Sequence, residues 1–305
     1  MRLVYFGSGE FGLPTLRRLV EVHDIALVVT QPDRPAGRNR ALTATPIGEF
    51  AATRGLPIIK PLRVNDPDVV QQIHSVNADA YVVIAFGQKL GPDLLDGHFA
   101  INLHGSLLPK YRGAAPIQWA MISGERETGV SVIGLSDRMD AGPIYAQWST
   151  VIQATETAGE LHDRLALIGP DAVLEVLATR EQHRLIPQQQ DERLASKAPK
   201  LSKSDGTVRF DQPAFDVARR IHGLTPWPGC TVRLQDRTLR LARVMSLDKT
   251  ASTAAAGEIL DDFTIACSPG SIRLIEVQPP GGKVMSFDAY RNGQPARPGM
   301  KLEPL

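Results

Sequence analysis

The chain of 305 residues has few cysteines and no long apolar segment. Its two cysteines, Cys230 and Cys267, both lie late in the sequence, which argues against a disulfide framework and a cysteine-rich metal site and favours a reducing cytoplasm. No uninterrupted apolar run is long enough to span a bilayer. Strand-like residues begin at Arg2 and leave no room for a secretory signal. We therefore expect a cytoplasmic protein.

Charge is balanced overall but uneven along the chain. Residues 1–194 contain 18 lysines and arginines against 22 aspartates and glutamates, whereas residues 206–305 contain 13 against 10. A mildly basic second part slightly favours contact of that part with a polyanion such as nucleic acid, although a surplus of three charges is small. The histidines other than His104 show no metal-ligand spacing, so no metal is expected.

Short apolar runs alternate with helix-like stretches in the first part of the chain. This alternation favours an α/β fold, a largely parallel sheet covered on both faces by helices. The predicted strands are 3–6, 25–30, 80–85, 99–103, 130–135 and 144–148, and the predicted helices are 13–22, 67–76, 115–123 and 160–177, the last interrupted at Gly169-Pro170.

The second part of the chain has a different pattern. Polar residues with spaced lysines, 188–205, predict a linker. A short helix, 214–222, and short runs separated by turn residues then predict a small antiparallel barrel. We expect three parts: a first domain at 1–190, a linker at 191–205 and a second domain at 206–305. The predicted strands of the second domain are 230–234, 238–244, 258–260, 264–267 and 272–277.

One segment carries most of the chemistry in the sequence. The run Phe99-Ala100-Ile101 predicts a strand that ends at Asn102-Leu103-His104, and residues two apart on a strand project from the same face. Asn102 and His104 are therefore expected to point into one site at the carboxyl end of the strand, where such sheets bind ligands. An amide donor beside an imidazole can stabilise an oxyanion and move a proton. For an isolated Asn-x-His pair, we would prefer a buried core histidine before a turn.

The residues that follow change this interpretation. The string from Asn102 to Gln118, which includes Ser106-Leu107-Leu108-Pro109, resembles the active-site signature of the formyltransferases that use 10-formyltetrahydrofolate. Other segments resemble the same family from the first strand nearly to the last residues; they are 31–38, 140–142, 200–203 and 281–286. The resemblance implies a Rossmann-like first domain followed by a C-terminal β-barrel of the oligonucleotide-binding type (OB-like).

The resemblance also implies the roles of particular residues. Asn102, His104 and Asp140 would be catalytic, with the Asp140 carboxylate close to His104 and favouring the charged form of its ring. Asp137, three residues upstream, is the internal alternative to Asp140. The segment Ser106, Leu107, Leu108 and Pro109 would form a tight, partly apolar turn that holds the folate.

A basic loop completes the resemblance. The segment 31–46 is long and rich in proline and arginine, and in the family it extends toward tRNA. Arg38 and Arg40 are therefore implied to contact tRNA, since guanidinium groups suit phosphates and unpaired bases. Basic residues of the linker and second domain are candidates for a path along the same tRNA; they are Lys197, Lys200, Lys203, Arg219, Arg220, Arg237, Arg240 and Arg243.

The resemblance thus implies a function, in which the formyl group passes from 10-formyltetrahydrofolate to the methionine amine of initiator methionyl-tRNA, for translation initiation. A monomer without metal is the family expectation. A formyltransferase acting on an amino sugar or another small amine would share the three catalytic residues but would need neither the basic loop nor the second domain. A nucleic-acid-binding protein with a relic catalytic domain is a further alternative, disfavoured by the presence of all three catalytic residues.

One motif favours a different class of enzyme. The segment Gly7-Ser8-Gly9-Glu10-Phe11-Gly12 follows the first strand and matches the Gly-x-Gly-x-x-Gly of dinucleotide-binding proteins. However, the second strand ends at Thr30-Gln31 without an acidic residue for the ribose, and Glu10 would bring a negative charge to the pyrophosphate. We interpret these glycines as tight-turn residues and rank a nicotinamide enzyme below the formyltransferase.

Overall fold

A computed structural model describes residues 1–36, 41–247, 254–293 and 296–305. The chain divides into two compact units. The first unit comprises Met1–Gly113, Gly129–Ser149 and His162–Lys197, and the second comprises Ala114–Thr128, Thr150–Leu161 and Ala198–Leu305. None of the helices in these ranges combines the length and the apolar character needed to cross a membrane.

The helices and strands alternate up to residue 181, and strands dominate after it. The helices are α1 (Leu13–Val22), α2 (Pro46–Thr53), α3 (Pro67–His74), α4 (Pro92–Leu95), α5 (Pro116–Ile122), α6 (Ala158–Glu181), α7 (Ala214–Gly223) and α8 (Phe287–Gly293). The strands are β1 (Arg2–Gly7), β2 (Asp24–Val29), β3 (Arg34–Ala36), β4 (Ala41–Thr43), β5 (Ile58–Ile59), β6 (Ala80–Ile84), β7 (Ala100–His104), β8 (Arg112–Gly113), β9 (Glu127–Gly134), β10 (Ile144–Val151), β11 (Lys197–Ala198), β12 (Cys230–Leu234), β13 (Arg237–Leu247), β14 (Thr264–Ala266), β15 (Ser271–Gln278), β16 (Met285–Ser286) and β17 (Leu302–Pro304).

The large sheet confirms the predicted mostly parallel architecture. Its seven strands run in the order β10-β9-β7-β6-β1-β2-β5. β1 pairs in parallel with β2 and β6, and β6 pairs in parallel with β7, whereas β9 is antiparallel to β7. The chain therefore leaves β1 first toward β2 and later toward β6, so the strand order switches beside β1. Open sheets of this kind bind ligands at the carboxyl ends of the strands near such a switch, where β6 and β7 end.

Helices cover both faces of this sheet. On one face, Val4 and Phe6 belong to a buried cluster that includes Ile73 of α3 and Leu94 of α4. On the opposite face, Leu103 of β7 lies against α6: a Cβ added at Gly169 would lie 2.5 Å from the Leu103 Cδ2 atom. A side chain at position 169 would therefore require Leu103 or α6 to shift.

The predicted interruption of this last helix is wrong, because α6 continues through Gly169-Pro170 from Ala158 to Glu181. Proline removes one helical hydrogen bond and usually costs about 3 kcal/mol inside a helix. Here residues on both sides of Pro170 are buried, including Leu165 and Val173. Burial of this apolar face offsets the local penalty, since packing rather than intrinsic propensity stabilises most helices in proteins.

The glycines of the first turn make room for a tyrosine. The Tyr5 hydroxyl donates to the Gly12 carbonyl oxygen at 2.8 Å. A Cβ at Gly12 would overlap this hydroxyl, and one at Gly7 would lie 2.6 Å from Tyr5 Cε1. The packing of Tyr5 therefore explains why both positions are glycine without a bound dinucleotide. This agrees with their interpretation as turn residues.

The second sheet is antiparallel throughout and curls into a half-barrel, which agrees with the predicted small antiparallel barrel. Its order is β14-β15-β13-β12-β17, and β16 pairs with β15. The predicted strand at 258–260 is wrong. Glu258 forms one isolated bridge with Lys301, and Ile259 forms another with Ile265. Because neighbouring residues pair with different segments, no continuous ladder develops there.

A buried histidine anchors α7 to this sheet. The Nε2 atom of His222 accepts a hydrogen bond from the Val244 N–H at 3.1 Å. Only an unprotonated Nε2 can accept this bond. Burial and the positive charge of Arg243 lower the pKa of His222 to about 4, so the folded unit keeps this ring uncharged.

We expect the stability of the second unit to fall between pH 6.5 and 4. In this range the unfolded chain protonates His222 while the folded chain does not, so acid favours the unfolded state. His222→Asn keeps a hydrogen-bond acceptor but removes the titrating group. Between pH 7.5 and 5.0, urea unfolding should show the wild type losing about 2 kcal/mol more stability than the variant. Equal losses in both proteins would contradict this account.

Candidate active site

The end of β7 brings Asn102 and His104 to one side of the sheet. Asn102 lies between Val83 of β6 and Ile133 of β9 in the pairing register. His104 is buried, whereas Asn102 is half-buried. Within the residues that the structure describes, the Asn102 side chain forms no hydrogen bond. Its amide is therefore a donor available to a ligand at the carboxyl edge of the sheet.

The imidazole of His104 contacts a backbone carbonyl on one side and Asp140 on the other. His104 Nε2 lies 2.9 Å from the Tyr111 carbonyl oxygen. Because a carbonyl oxygen only accepts, this nitrogen must carry the proton and donate it. His104 Nδ1 lies 3.6 Å from Asp140 Oδ2, and the side chains are 6% and 15% exposed. The neutral ring therefore directs its Nδ1 lone pair toward the carboxylate.

Two opposing effects set the pKa of His104. Burial lowers it, while the negative charge of Asp140 and the hydrogen bond to Tyr111 raise it, and the net result is a pKa below the ordinary value of 6.5. The ring is thus neutral near pH 7. A proton that reaches Nδ1 would be stabilised by the adjacent carboxylate, so this pair is built to receive a proton and release it again.

Asp140 reaches His104 through an unusual backbone turn. Its φ angle is 53°, in the left-handed region that few residues other than glycine, asparagine and aspartate adopt. Asp140 Oδ2 also accepts from the Gly113 N–H at 2.9 Å. Position 142 must be glycine, because a Cβ there would overlap the Gly134 carbonyl.

The alternative carboxylate, Asp137, is exposed. Of these two aspartates, Asp140 is the one paired with the imidazole.

The segment Ser106–Pro109 forms a tight turn that Gly105 separates from β7. The Ser131 hydroxyl bridges Ser106 and Leu108. Its Oγ donates to the Ser106 carbonyl at 2.7 Å and accepts from the Leu108 N–H at 3.0 Å. Gln147 Nε2 donates to the Leu108 carbonyl and to Ser131 Oγ, both at 2.9 Å. Ser106 Oγ donates to the Lys110 carbonyl. Hydrogen bonds therefore hold the turn at Ser106 and at Leu108, and Leu107 and Pro109 are its more exposed members.

Sequence reasoning missed the residues that hold these turns. Ser131 lies within an apolar strand and Gln147 within another, and neither position carries a pattern that marks it. Tyr111 acts through its carbonyl group, which every residue type possesses. These contacts join segments from different parts of the chain, so no local sequence signal identifies them.

The predicted tRNA contacts Arg38 and Arg40 lie outside the described residues. The strands that flank them, β3 and β4, pair in antiparallel fashion. Several basic residues of the second unit already have partners: Arg243 pairs with Glu160 at 2.7 Å and with Glu276 at 3.0 Å. Arg220 and Arg240 donate to backbone carbonyls. Carboxylates of the same unit therefore balance the charge of Arg243, whereas Arg220 and Arg240 have donor groups engaged by carbonyl oxygens.

No group of three or more histidines, cysteines, aspartates or glutamates within the described ranges is arranged to hold a metal ion.

Comparison with known proteins gives a consistent result over the whole chain. The sequence profile described as "Formyl transferase" matches residues 1–177, and that described as "Formyl transferase, C-terminal domain" matches residues 200–295. A protein of Heliobacterium modesticaldum named methionyl-tRNA formyltransferase is 41% identical over 316 residues, which cover 99% of this chain and 100% of that protein.

Solved structures share the fold at lower identity. An N-formyltransferase from Helicobacter canadensis, in complex with folinic acid and dTDP-3-aminofucose, aligns with a TM-score of 0.66 at 14% identity and covers 88% of this chain and 97% of that protein. HypX from Aquifex aeolicus, in complex with tetrahydrofolic acid, aligns with a TM-score of 0.62 at 17% identity; the alignment covers 96% of this chain but 47% of HypX. At these identities the likeness concerns the fold alone.

The buried hydroxyl of Ser131 provides a test of the turn at Ser106–Pro109. Ser131→Ala leaves the Leu108 N–H without an acceptor and should destabilise the protein by about 1–3 kcal/mol. Ser75→Ala removes an exposed hydroxyl that also donates to a backbone carbonyl, and should change stability by less than about 0.5 kcal/mol. Chemical unfolding of both variants measures the difference. Equal effects would show that Ser131 does not hold the turn.

Proposed function

The chain belongs to the formyl transferase family, and from this premise we propose that it transfers a formyl group from 10-formyltetrahydrofolate to the amino group of methionine on initiator methionyl-tRNA. The observation that carries the proposal is the convergence of Asn102, His104 and Asp140 at the carboxyl edge of the sheet. The full-length relative at 41% identity supports the choice of acceptor. The amino-sugar alternative is favoured by a likeness of fold at low sequence identity, 14% for the Helicobacter canadensis enzyme.

The residues present fit the formyl donor. 10-Formyltetrahydrofolate supplies the formyl group as a co-substrate. Asn102 is half-buried, and its side chain has no hydrogen-bond partner among the residues that the structure describes. The hydrogen-bonded turn Ser106–Pro109 begins after Gly105, which follows β7. We assign Ser106, Leu107, Leu108 and Pro109 to folate binding, with the turn as a partly apolar surface for a flat ring.

We assign the developing oxyanion to Asn102. When the methionine amine attacks the formyl carbon, the carbonyl oxygen gains negative charge, and the Asn102 N–H donates to it. One such donor is typically worth roughly 3 kcal/mol of barrier. His104 contributes no second donor in this arrangement, because its Nε2–H is occupied by the Tyr111 carbonyl and the Nδ1 of its neutral ring carries no proton.

We assign proton movement to the His104–Asp140 pair. The attacking amine must lose a proton as the new N–C bond forms, and His104 Nδ1 accepts it directly or through a water molecule. The Asp140 carboxylate stabilises the resulting imidazolium. The same proton then passes to the folate nitrogen as its bond to the formyl carbon breaks. His104 thereby returns to its neutral form.

The remaining assignments extend this proposal to the whole chain. We retain a catalytic domain at 1–190, a linker at 191–205 and a tRNA-binding domain at 206–305. Arg38 and Arg40 stay predicted tRNA contacts. We expect a monomer that acts in the cytoplasm, where its two buried thiols remain reduced.

Asp140→Asn tests the proton-moving pair. Asparagine tolerates the left-handed backbone and can still accept from Gly113, so the fold should persist while the carboxylate is lost. Turnover should fall at least about 100-fold, the usual scale for a lost acid–base group, with folate binding largely intact. Single-turnover transfer of labelled formyl measures this, and the exposed Asp137→Asn is the matched control. Unchanged turnover in Asp140→Asn would remove Asp140 from the chemistry.

A competition between acceptors tests the substrate. Labelled 10-formyltetrahydrofolate is incubated with initiator methionyl-tRNA, free methionine or a nucleotide-linked amino sugar. Transfer should occur to methionyl-tRNA and should weaken steeply with salt, since phosphate contacts release counterions. Transfer to the sugar but not to tRNA would overturn the proposed acceptor.

A further inference from the structure

The polar run Gln188-Gln189-Gln190, predicted to open a linker, lies beside the candidate active site. Gln188 and Ile144 exchange two backbone hydrogen bonds, of 2.8 and 2.9 Å. These bonds fix the chain next to the start of β10. Gln189 is exposed, whereas Gln190 is half-buried. The run is thus held against the start of β10 at one specific register.

The side chain of Gln190 uses its full hydrogen-bonding capacity on the turn that carries Asp140. Its Nε2 atom donates to the Asp140 carbonyl at 2.8 Å and to the Gly142 carbonyl at 2.7 Å. Its Oε1 atom accepts from Arg112 Nε at 3.0 Å and from Arg112 Nη2 at 2.7 Å. A glutamine amide has two donor hydrogens and two acceptor lone pairs, and all four are engaged here.

Arg112 determines which way this amide faces. Because a guanidinium group only donates, Arg112 must face the oxygen of Gln190, which turns the NH2 group toward the two carbonyls. Arg112 is in turn held by Glu192, at 3.0 Å, and its side chain is 12% exposed. Arg138 pairs with the same carboxylate at 3.0 Å. Arg112, held by its ion pair with Glu192, therefore fixes the orientation of the Gln190 amide.

The turn at Asp140 needs such support. A left-handed φ angle at a residue other than glycine costs free energy and persists where the surroundings over-determine it. The Gly113 N–H holds the Asp140 carboxylate, while Gln190 holds the backbone on both sides of Ala141. Together they determine where Asp140 Oδ2 lies relative to His104.

We propose that Gln190 is a positioning residue for formyl transfer, which clamps the 140–142 turn so that the Asp140 carboxylate stays against the His104 ring. Arg112 sets the orientation of the clamp. The expected loss of kcat rests on the proposed function, whereas the effect of Gln190 on the position of the Asp140 carboxylate does not. The polar stretch that begins at Gln188 thus has a part in the arrangement of the active site.

Gln190→Met tests the clamp, because methionine matches the length of glutamine and removes all its hydrogen bonds. Release of the turn should lower kcat about 10- to 100-fold, the scale of an ångström-size misplacement, while the KM for each substrate changes less than about 3-fold. The matched control is Gln189→Met, the same change at the exposed neighbour, which should keep wild-type kinetics. Loss of kcat in both variants, or in neither, would overturn the proposal.

The titration of His104 separates positioning from a merely structural role. Asp140 raises the pKa of His104, so a displaced carboxylate should lower that pKa further. In Gln190→Met the acid limb of the kcat/KM profile should therefore move to lower pH, and NMR titration of the ring should show the same shift. A variant with reduced kcat but an unmoved His104 titration would contradict the clamp.

The NMR readout also distinguishes the two proposals. If the wild type transfers no formyl group, the proposed function fails, yet the shift of the His104 titration in Gln190→Met still tests the clamp. If Gln190→Met does not fold, Arg112→Lys provides the second variant, because one ammonium group cannot reproduce the two donors on Gln190 Oε1. It should shift the His104 titration in the same direction, and an unmoved titration would overturn the proposal.

Discussion

The contact between His104 and Asp140 is the interaction on which the rest of the site depends. Burial alone would give His104 a ring that resists protonation, and an exposed aspartate would do little to change that. At 3.6 Å, with both side chains mostly removed from water, the carboxylate offsets part of the burial cost. The pair can therefore hold a proton briefly, which is what attack by an amine requires.

Three segments distant in sequence must meet to form this contact. β7 carries His104 to the edge of the sheet, and the loop after β9 carries Asp140 back to it. The third segment, near residue 190, holds the loop by hydrogen bonds to its backbone. The left-handed turn at Asp140 costs free energy, and contacts on both sides of that turn offset the cost.

Much of the fold could be predicted from the sequence, and the site only in part. Alternating apolar runs predicted the parallel sheet, and strand periodicity placed Asn102 and His104 on one face. No pattern linked Asp140 to His104, since their separation is set by a loop; the family resemblance supplied that link. Local rules failed where tertiary contacts dominate, as at Pro170 inside α6 and at Ile259 between two strands. Gln190 and Ser131 act through contacts across the fold, which a single sequence does not reveal.

The central physical claim is that Tyr111 fixes the proton of neutral His104 on Nε2 and leaves Nδ1 open toward Asp140. Nitrogen-15 NMR of the imidazole in the wild-type protein at pH 7.5 tests it most directly, because the two ring nitrogens report their protonation separately. The account predicts a neutral ring with Nε2 protonated and Nδ1 unprotonated, and a charged ring only as the pH falls below 6.5. An imidazolium at pH 7.5, or a neutral ring with the proton on Nδ1, would contradict it.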